Sequence, residues 1–211
     1  MITCNLILRD IDGLKIVYFI AGIPDICSLE RNRRSNYEES FLKRTDNSCF
    51  EHALRLKNTI VNTETKLKSI NCKVVFATVT TMSFCVWNLH RLSIGKTSHL
   101  KYENAYDRMQ LELNSIIQDL NNFITEFNHT NHVITPFFHS SVHKCKSGKL
   151  RYLYYRLVYG VHPTFDLARI LIDRLSTAIQ SNEGRFFLIL FNFLIFFFCY
   201  LFVNPIGCLE F

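Results

Sequence analysis

The sequence predicts an α/β fold in which an open parallel sheet lies between two layers of helices. Short apolar runs rich in β-branched and aromatic residues alternate along the chain with longer segments of helical periodicity. The runs are apolar throughout, which is typical of parallel strands that are buried on both faces. With 211 residues, of which 48% are hydrophobic and 20% charged, the chain can bury a sizeable core, and its composition excludes a disordered polymer.

Three apolar runs are the predicted strands. They cover Lys15 to Ile20, Lys73 to Thr80 and His132 to Pro136. The first ends in the turn Ala21-Gly22-Ile23-Pro24-Asp25, whose glycine and proline stop a strand. Because the carboxyl ends of parallel strands lie at one edge of a sheet, we expect functional groups at this turn and after the later strands.

Three segments with apolar residues at helical spacing are the predicted helices. They cover Phe50 to Ile70, Lys101 to Phe127 and Pro163 to Gln180. The last begins with a proline, which the first turn of a helix tolerates. Strand and helix therefore alternate, and right-handed crossovers would bring the first turn and His162 to the same edge of the sheet.

The C-terminal segment differs in composition from the rest of the chain. Residues 1–182 are predicted to form the α/β domain, and residues 183–211 a separate hydrophobic helix. Phe186 to Val203 is apolar except for Asn192 and, at about 1.5 Å per residue, is long enough to cross a membrane. One interpretation is a tail anchor that holds the domain on the cytoplasmic side, with Arg185 at the interface. The other is a spurious tail, because AT-rich non-coding DNA encodes such Phe- and Ile-rich peptides when it is translated.

Cysteine spacing and charge give weaker indications. None of the eight cysteines forms a Cys-x-x-Cys pair, and we predict neither a metal nor another cofactor. The start of the sequence has no signal-peptide pattern, so we expect reduced thiols in a cytoplasmic protein. Histidines between His129 and His143 would suit zinc on a helix, but Pro136 indicates a loop. The basic, tyrosine-rich stretch Lys144 to Arg156 could contact nucleic acid, but a plain surface or a lining of the ligand cleft is favoured. The net charge of +6 does not demand an acidic partner.

The most informative phrase is Tyr159-Gly160-Val161-His162-Pro163-Thr164-Phe165-Asp166, which presents a histidine where a loop meets a helix. An imidazole held there is well placed to act as a general base. The order of elements resembles the second half of an SGNH (GDSL-type) hydrolase: a strand that ends in Ala-Gly-x-x-Asp, two further strands, then Gly-x-His-Pro-Thr and a helix. It is similar in particular to divergent SGNH-like domains of invertebrate genomes, found in or beside retrotransposon-derived reading frames. The resemblance covers roughly residues 12–181 and implies a three-layer, flavodoxin-like sheet whose first strands are missing.

The resemblance implies a role for each matching residue. His162 stands where the family has its catalytic base, but the orienting aspartate three residues earlier is replaced by Tyr159, a phenol that stays neutral near pH 7. Gly22 and Asp25 match the family's third block, whereas Pro24 replaces the asparagine that donates to the oxyanion. Proline has neither a side-chain donor nor a backbone N–H. The blocks that hold the nucleophilic serine and the oxyanion glycine have no counterpart.

The sequence thus predicts an SGNH-hydrolase-like domain of esterase lineage that does not hydrolyse esters. Two other functions stay open. One is a membrane-tethered module that binds a small ester-like ligand or a partner, and the other is a nucleic-acid-associated accessory domain derived from a mobile element. A sheet without its first strands has an unpaired apolar edge, which predicts poor solubility or dimerisation.

Overall fold

The computed structural model describes residues 15–20, 26–32, 37–42, 50–146 and 149–182. The elements in chain order are strands β1 (Lys15–Phe19), β2 (Cys27–Asn32) and β3 (Tyr37–Leu42), helix α1 (Phe50–Lys68), strand β4 (Cys72–Phe76), helices α2 (Phe84–Ser93) and α3 (Tyr106–Thr130), strands β5 (His143–Lys146), β6 (Lys149–Tyr152), β7 (Leu157–Val158) and β8 (His162–Pro163), and helix α4 (Phe165–Ser181). Single turns of 3-10 helix span Glu103–Ala105, His139–Ser141 and Tyr154–Arg156. The fold is therefore α/β, as the sequence predicts.

A small parallel sheet lies at the centre of the fold. It pairs β1 with β4, in register from Lys15 beside Cys72 to Phe19 beside Phe76. Because side chains alternate between the faces of a strand, one face packs beneath α1 and α3 and the other beneath α4. The first face carries Val17, Val74 and Phe76, and the second carries Ile16, Tyr18 and Val75. Helices thus cover both faces of the parallel pair.

The predicted third strand, His132 to Pro136, forms no ladder within the described chain, and this prediction is wrong. The outer edge of β4 is occupied instead by Asn128 of α3. Its side-chain amide donates to the Phe76 carbonyl oxygen (2.7 Å), and its side-chain oxygen accepts from the Phe76 N–H (3.1 Å). The segment that was expected to pair is joined to this edge by one backbone bond, from the Thr78 N–H to the Pro136 carbonyl oxygen (3.1 Å). A helix side chain therefore supplies bonds that we expected from a strand.

Two more amides on the same face of α3 support the chain beyond β4. Asn121 bonds both the N–H (2.6 Å) and the carbonyl oxygen (2.9 Å) of Val79. Gln110 bonds the N–H of Phe84 (3.1 Å) and the carbonyl oxygen of Met82 (2.8 Å). The second predicted strand consequently ends at Phe76 rather than at Thr80, because the buried backbone after it is satisfied by α3 and needs no ladder.

The other strand pairs are antiparallel and were not predicted. β2 pairs with β3, β5 with β6, and β7 with β8. The described chain therefore carries two parallel strands and three short antiparallel pairs, rather than three parallel strands. The segments of β2, β3, β5 and β6 are rich in charged and polar residues, so their sequences resemble loops more than buried strands.

Helix boundaries also differ from the prediction at the candidate histidine. Pro163 lies in β8, where it is paired with Leu157, and α4 begins after Thr164. The Thr164 hydroxyl accepts a hydrogen bond from the Leu167 N–H (3.3 Å), which caps the helix. Helix α2, which is not among the three predicted helices, begins in the same way after Ser83.

Several predictions fall on parts of the chain that are not described. Gly22, Pro24, Asp25 and Phe186 to Val203 lie outside the described residues. Within the described ranges, no helix is long and apolar enough to cross a membrane. Among the described strands, β1 pairs only with β4, and dimerisation through its other edge stays a prediction.

Candidate functional site

The phrase that contains the candidate histidine is docked on the start of α2. Tyr159 and Gly160 connect β7 to β8 with φ values of 53° and 76°. The Gly160 carbonyl oxygen accepts a hydrogen bond from the Ser83 N–H (2.7 Å). A Cβ atom at position 160 would lie 2.9 Å from the Ser83 carbonyl oxygen and 3.1 Å from the Trp87 nitrogen. Only glycine therefore fits this turn, for both its dihedral angle and its close approach to the helix.

His162 lies beside the indole ring of Trp87. The two ring centroids are 6.2 Å apart and the planes meet at 77°, an edge-to-face contact. The His162 side chain is exposed, yet the protein atoms around its ring desolvate it and lower its pKa below the usual value for histidine. The lowered pKa favours the neutral imidazole, which has an apolar wall on one side and access to solvent.

Tyr159, at the position of the family's orienting acid, packs against a different histidine. Its ring stacks on His90 of α2 with centroids 3.7 Å apart and planes 9° apart. Burial, with a smaller effect from Arg91, lowers the pKa of His90. The phenol is half exposed, and the contact fixes the turn on the surface of α2. The roles assigned to His162 and Tyr159 stay predictions.

Helix α2 is itself held firmly. Asn88 bonds both the N–H and the carbonyl oxygen of Ser40 in β3 (2.8 Å each). Arg91 forms an ion pair with Glu38, and its guanidinium lies 5.3 Å from the centre of the Trp87 ring. The surface on which the His162 phrase rests is therefore anchored to the β2–β3 pair.

Glu39, next to these contacts, is fully buried. Its carboxylate accepts hydrogen bonds from the hydroxyls of Tyr37 and Tyr106 and from the N–H groups of Lys101 and Tyr102 (2.8 and 3.0 Å). Burial, and then the bond to this carboxylate, raise the pKa of both tyrosines. These four donors explain how the Glu39 carboxylate can be buried without a cation. Because they belong to β3, to the segment before α3 and to the first residue of α3, Glu39 has a structural role: it joins these parts of the chain.

A separate small cleft lies between α3 and the segment around β5. Its empty volume is about 230 Å³. The residues that line it are Thr81, Ile117, Gln118, Asn121, His139, Val142, His143 and Tyr152. Part of that space is open solvent, so the enclosed part of the cleft is smaller than this figure.

Two histidines give the cleft its chemistry. The rings of His139 and His143 have centroids 5.0 Å apart, and the Nδ1 atom of His139 is buried without a hydrogen-bond partner. Burial, followed by the charges of His143 and Arg174, lowers the pKa of His139 to about 4. No group of three or more metal-ligating side chains is assembled within the described ranges.

Sequence reasoning missed Ser83, Trp87 and His90. The available signal was Ser83 before the apolar run Phe84-Cys85-Val86-Trp87, which is a helix N-terminus in pattern. Without α2, nothing indicated which surface would receive the His162 phrase.

No protein-family model matches the chain, and a comparison with curated proteins finds no relative. Among solved structures, the chain is similar to a putative acylhydrolase from Bacteroides fragilis NCTC 9343, with 18% identity and a TM-score of 0.43 over 62% of this chain. The chain spans about half, 52%, of the length of that protein. A likeness of this extent transfers neither family nor activity, and nothing in the comparisons supports an origin in retrotransposon-derived reading frames.

Proposed function

We propose that this protein is an SGNH-hydrolase-like domain that binds a small ester-like ligand beside His162 and does not hydrolyse it. The observation that carries the proposal is the position of Tyr159. The resemblance expects a carboxylate there, but the chain has a phenol whose ring is stacked on His90, 3.7 Å between centroids.

The chemistry of the base supports binding over catalysis. A general base must take up a proton in the transition state, and a carboxylate beside the imidazole stabilises the imidazolium that forms. Tyr159 cannot supply that charge near pH 7. The lowered pKa of His162 also argues against a working base, because the surroundings of the ring disfavour its protonated form.

The same features suit a weakly polar ligand. A neutral imidazole can donate or accept a hydrogen bond, and the adjoining Trp87 ring offers apolar surface. A ligand with a carbonyl group next to a short hydrocarbon matches both.

Hydrolysis of p-nitrophenyl acetate and p-nitrophenyl butyrate tests the inactive state. We expect wild type and His162→Ala to release p-nitrophenol at the same rate as the buffer. Turnover by wild type that is lost in His162→Ala would show a working base and overturn the proposal.

A second test restores the missing acid. Aspartate tolerates the left-handed backbone of position 159 better than tyrosine does. In Tyr159→Asp, the His162 pKa measured by NMR is expected to rise, because a carboxylate three residues away favours the imidazolium. Tyr155→Asp adds the same charge at another exposed tyrosine and serves as the control. An equal rise in both variants, or none in either, contradicts the placement of position 159 as the acid site.

The proposed location is the cytoplasmic face of a membrane, with Phe186 to Val203 as the anchor. The support is the length and apolar character of that segment. The full chain is expected to partition into membranes, whereas a chain that ends at Asn182 is expected to stay in the aqueous phase. Equal partitioning of the two chains contradicts the anchor.

A further inference from the structure

The β5–β6 pair collects basic residues on one face. In its register, Lys144 is opposite Arg151 and Lys146 is opposite Lys149. Residues that are paired across an antiparallel ladder share a face, and alternate pairs lie on the same side. Four basic positions therefore lie on one face, although in the sequence they are interspersed with other residues.

This face has no acidic counterpart among the described side chains. Lys144 and Arg151 are both exposed, and none of the described ion pairs involves either of them. Like charges directly opposite each other destabilise a ladder. An anionic partner would remove this repulsion.

The same part of the chain has a marked excess of basic over acidic residues. Residues 139–182 contain seven Lys and Arg against two Asp, a surplus of five in a chain whose net charge is +6. Such concentration of one sign in one segment is typical of a surface that meets a polyanion.

Within the described chain, the exposed Phe and Tyr rings also lie in or next to this segment. In the described chain the strongly exposed rings are Phe137 (41%), Tyr155 (72%), Tyr159 (50%) and Phe165 (75%). Tyr155 lies in the 3-10 turn that directly follows β6. Basic residues that contact a sugar–phosphate backbone, with aromatic rings on which bases stack, are the two components of single-strand recognition.

We propose that the basic face of β5 and β6, together with Tyr155, binds single-stranded nucleic acid. The bases of a duplex are stacked on each other and would not use the exposed ring, which favours a single strand. The sequence alone favoured a plain surface or a lining of the ligand cleft for this stretch, because it does not show that the four basic positions share a face. The proposed ligand site uses His162 and Trp87, whereas this face uses β5, β6 and Tyr155, so the two proposals rest on different residues.

The test is fluorescence anisotropy of the full chain with a labelled twenty-nucleotide oligo(dT) and with a duplex of equal length. The single strand is expected to bind more tightly. If all four cations contact phosphates, log K should fall with log salt at a slope of about −3, from about −0.7 per contact on a single strand.

Lys144→Glu separates binding from folding. A carboxylate opposite Arg151 makes a favourable cross-strand pair, so the hairpin should be at least as stable as in wild type. Binding of oligo(dT) is expected to weaken about tenfold or more, with a shallower salt slope. Lys66→Glu makes the same charge change on an exposed residue of α1 and should weaken binding less than about threefold, since only long-range attraction is lost.

Tyr155→Ser tests the ring and is expected to weaken oligo(dT) binding about fivefold or more. Equal losses in Lys144→Glu and Lys66→Glu would overturn the proposed face. Equal affinity for duplex and single strand, with no effect of Tyr155→Ser, would overturn the single-strand assignment. Binding to vesicles of phosphatidylserine and phosphatidylcholine without binding to oligo(dT) would replace nucleic acid by an anionic lipid surface.

Discussion

Replacing Gly160 by alanine tests whether the His162 phrase is docked on α2 as described. The chain offers a matched control in Gly95, since the two glycines have φ values of 76° and 70°. A Cβ atom at position 95 would meet nothing within 4 Å, whereas at position 160 it would meet the Ser83 carbonyl oxygen at 2.9 Å and the Val86 Cβ at 3.0 Å. The two substitutions therefore share the cost of the dihedral angle and differ in the clash.

The expected magnitudes follow from these two contributions. A left-handed backbone costs a non-glycine residue about 1–2 kcal/mol, of which the stiffer unfolded chain offsets about 0.4–1 kcal/mol. Gly95→Ala is thus expected to lower the free energy of unfolding by about 1 kcal/mol. Gly160→Ala adds an overpacking cost of about 1–3 kcal/mol, because two of its three close neighbours are backbone atoms that cannot rotate away.

Urea unfolding followed by circular dichroism measures the difference. With a slope of about 2 kcal/mol per molar urea, the extra cost in Gly160→Ala corresponds to a midpoint about 0.5–1.5 M below that of Gly95→Ala. Identical midpoints for the two variants would refute the close contact between the Gly160 turn and α2. The edge-to-face contact of His162 with Trp87 would then have no structural basis.

Two further predictions concern α3 and the histidine cleft. Asn121→Ala leaves the buried N–H and carbonyl oxygen of Val79 without partners, so it is expected to lower the free energy of unfolding in urea by about 2–4 kcal/mol. Asn122→Ala, at the exposed neighbouring position, should lower it by less than about 0.5 kcal/mol. Similar losses in the two variants would contradict the role of the Asn121 amide. Because His139 takes up a proton near pH 6.5 when unfolded but only near pH 4 when folded, its contribution to stability is present above pH 6.5 and is lost as the pH falls from 6.5 to 4. The fall in thermal midpoint over this range should be smaller in His139→Gln than in wild type. A residual slope is expected from His90 and His162, whose pKa values are also lowered. An unchanged fall would contradict the buried state of the His139 ring.

The sequence predicted the parts of the fold that depend on local apolar patterns. Lys15 to Ile20 and Lys73 onward are continuous apolar runs, and they form the parallel pair β1 and β4. The long amphipathic stretches became α1, α3 and α4 with boundaries shifted by a few residues. Each helix buries one apolar stripe and each of the two strands is buried on both faces, so hydrophobic periodicity alone indicates them.

The prediction was wrong where long-range hydrogen bonds replaced a ladder. His132 to Pro136 is apolar enough for a strand. The backbone N–H and carbonyl oxygen of Phe76, at the outer edge of β4, are bonded to the Asn128 side chain instead. An asparagine on a helix carries no sequence signal for this role. Whether its amide bonds a distant backbone depends on how α3 crosses the sheet.

The candidate site, like the fold, was predictable from the sequence only in part. The sequence alone determined that His162 follows a glycine at the entry to a helix, and that a tyrosine stands three residues before it, because these are facts of order and spacing. Only the tertiary structure decided that Gly160 rests on Ser83, that Tyr159 stacks on His90, and that the basic residues of β5 and β6 share a face. Such contacts join residues far apart in the chain or depend on strand register, and both are fixed by the packing of whole elements rather than by local preference.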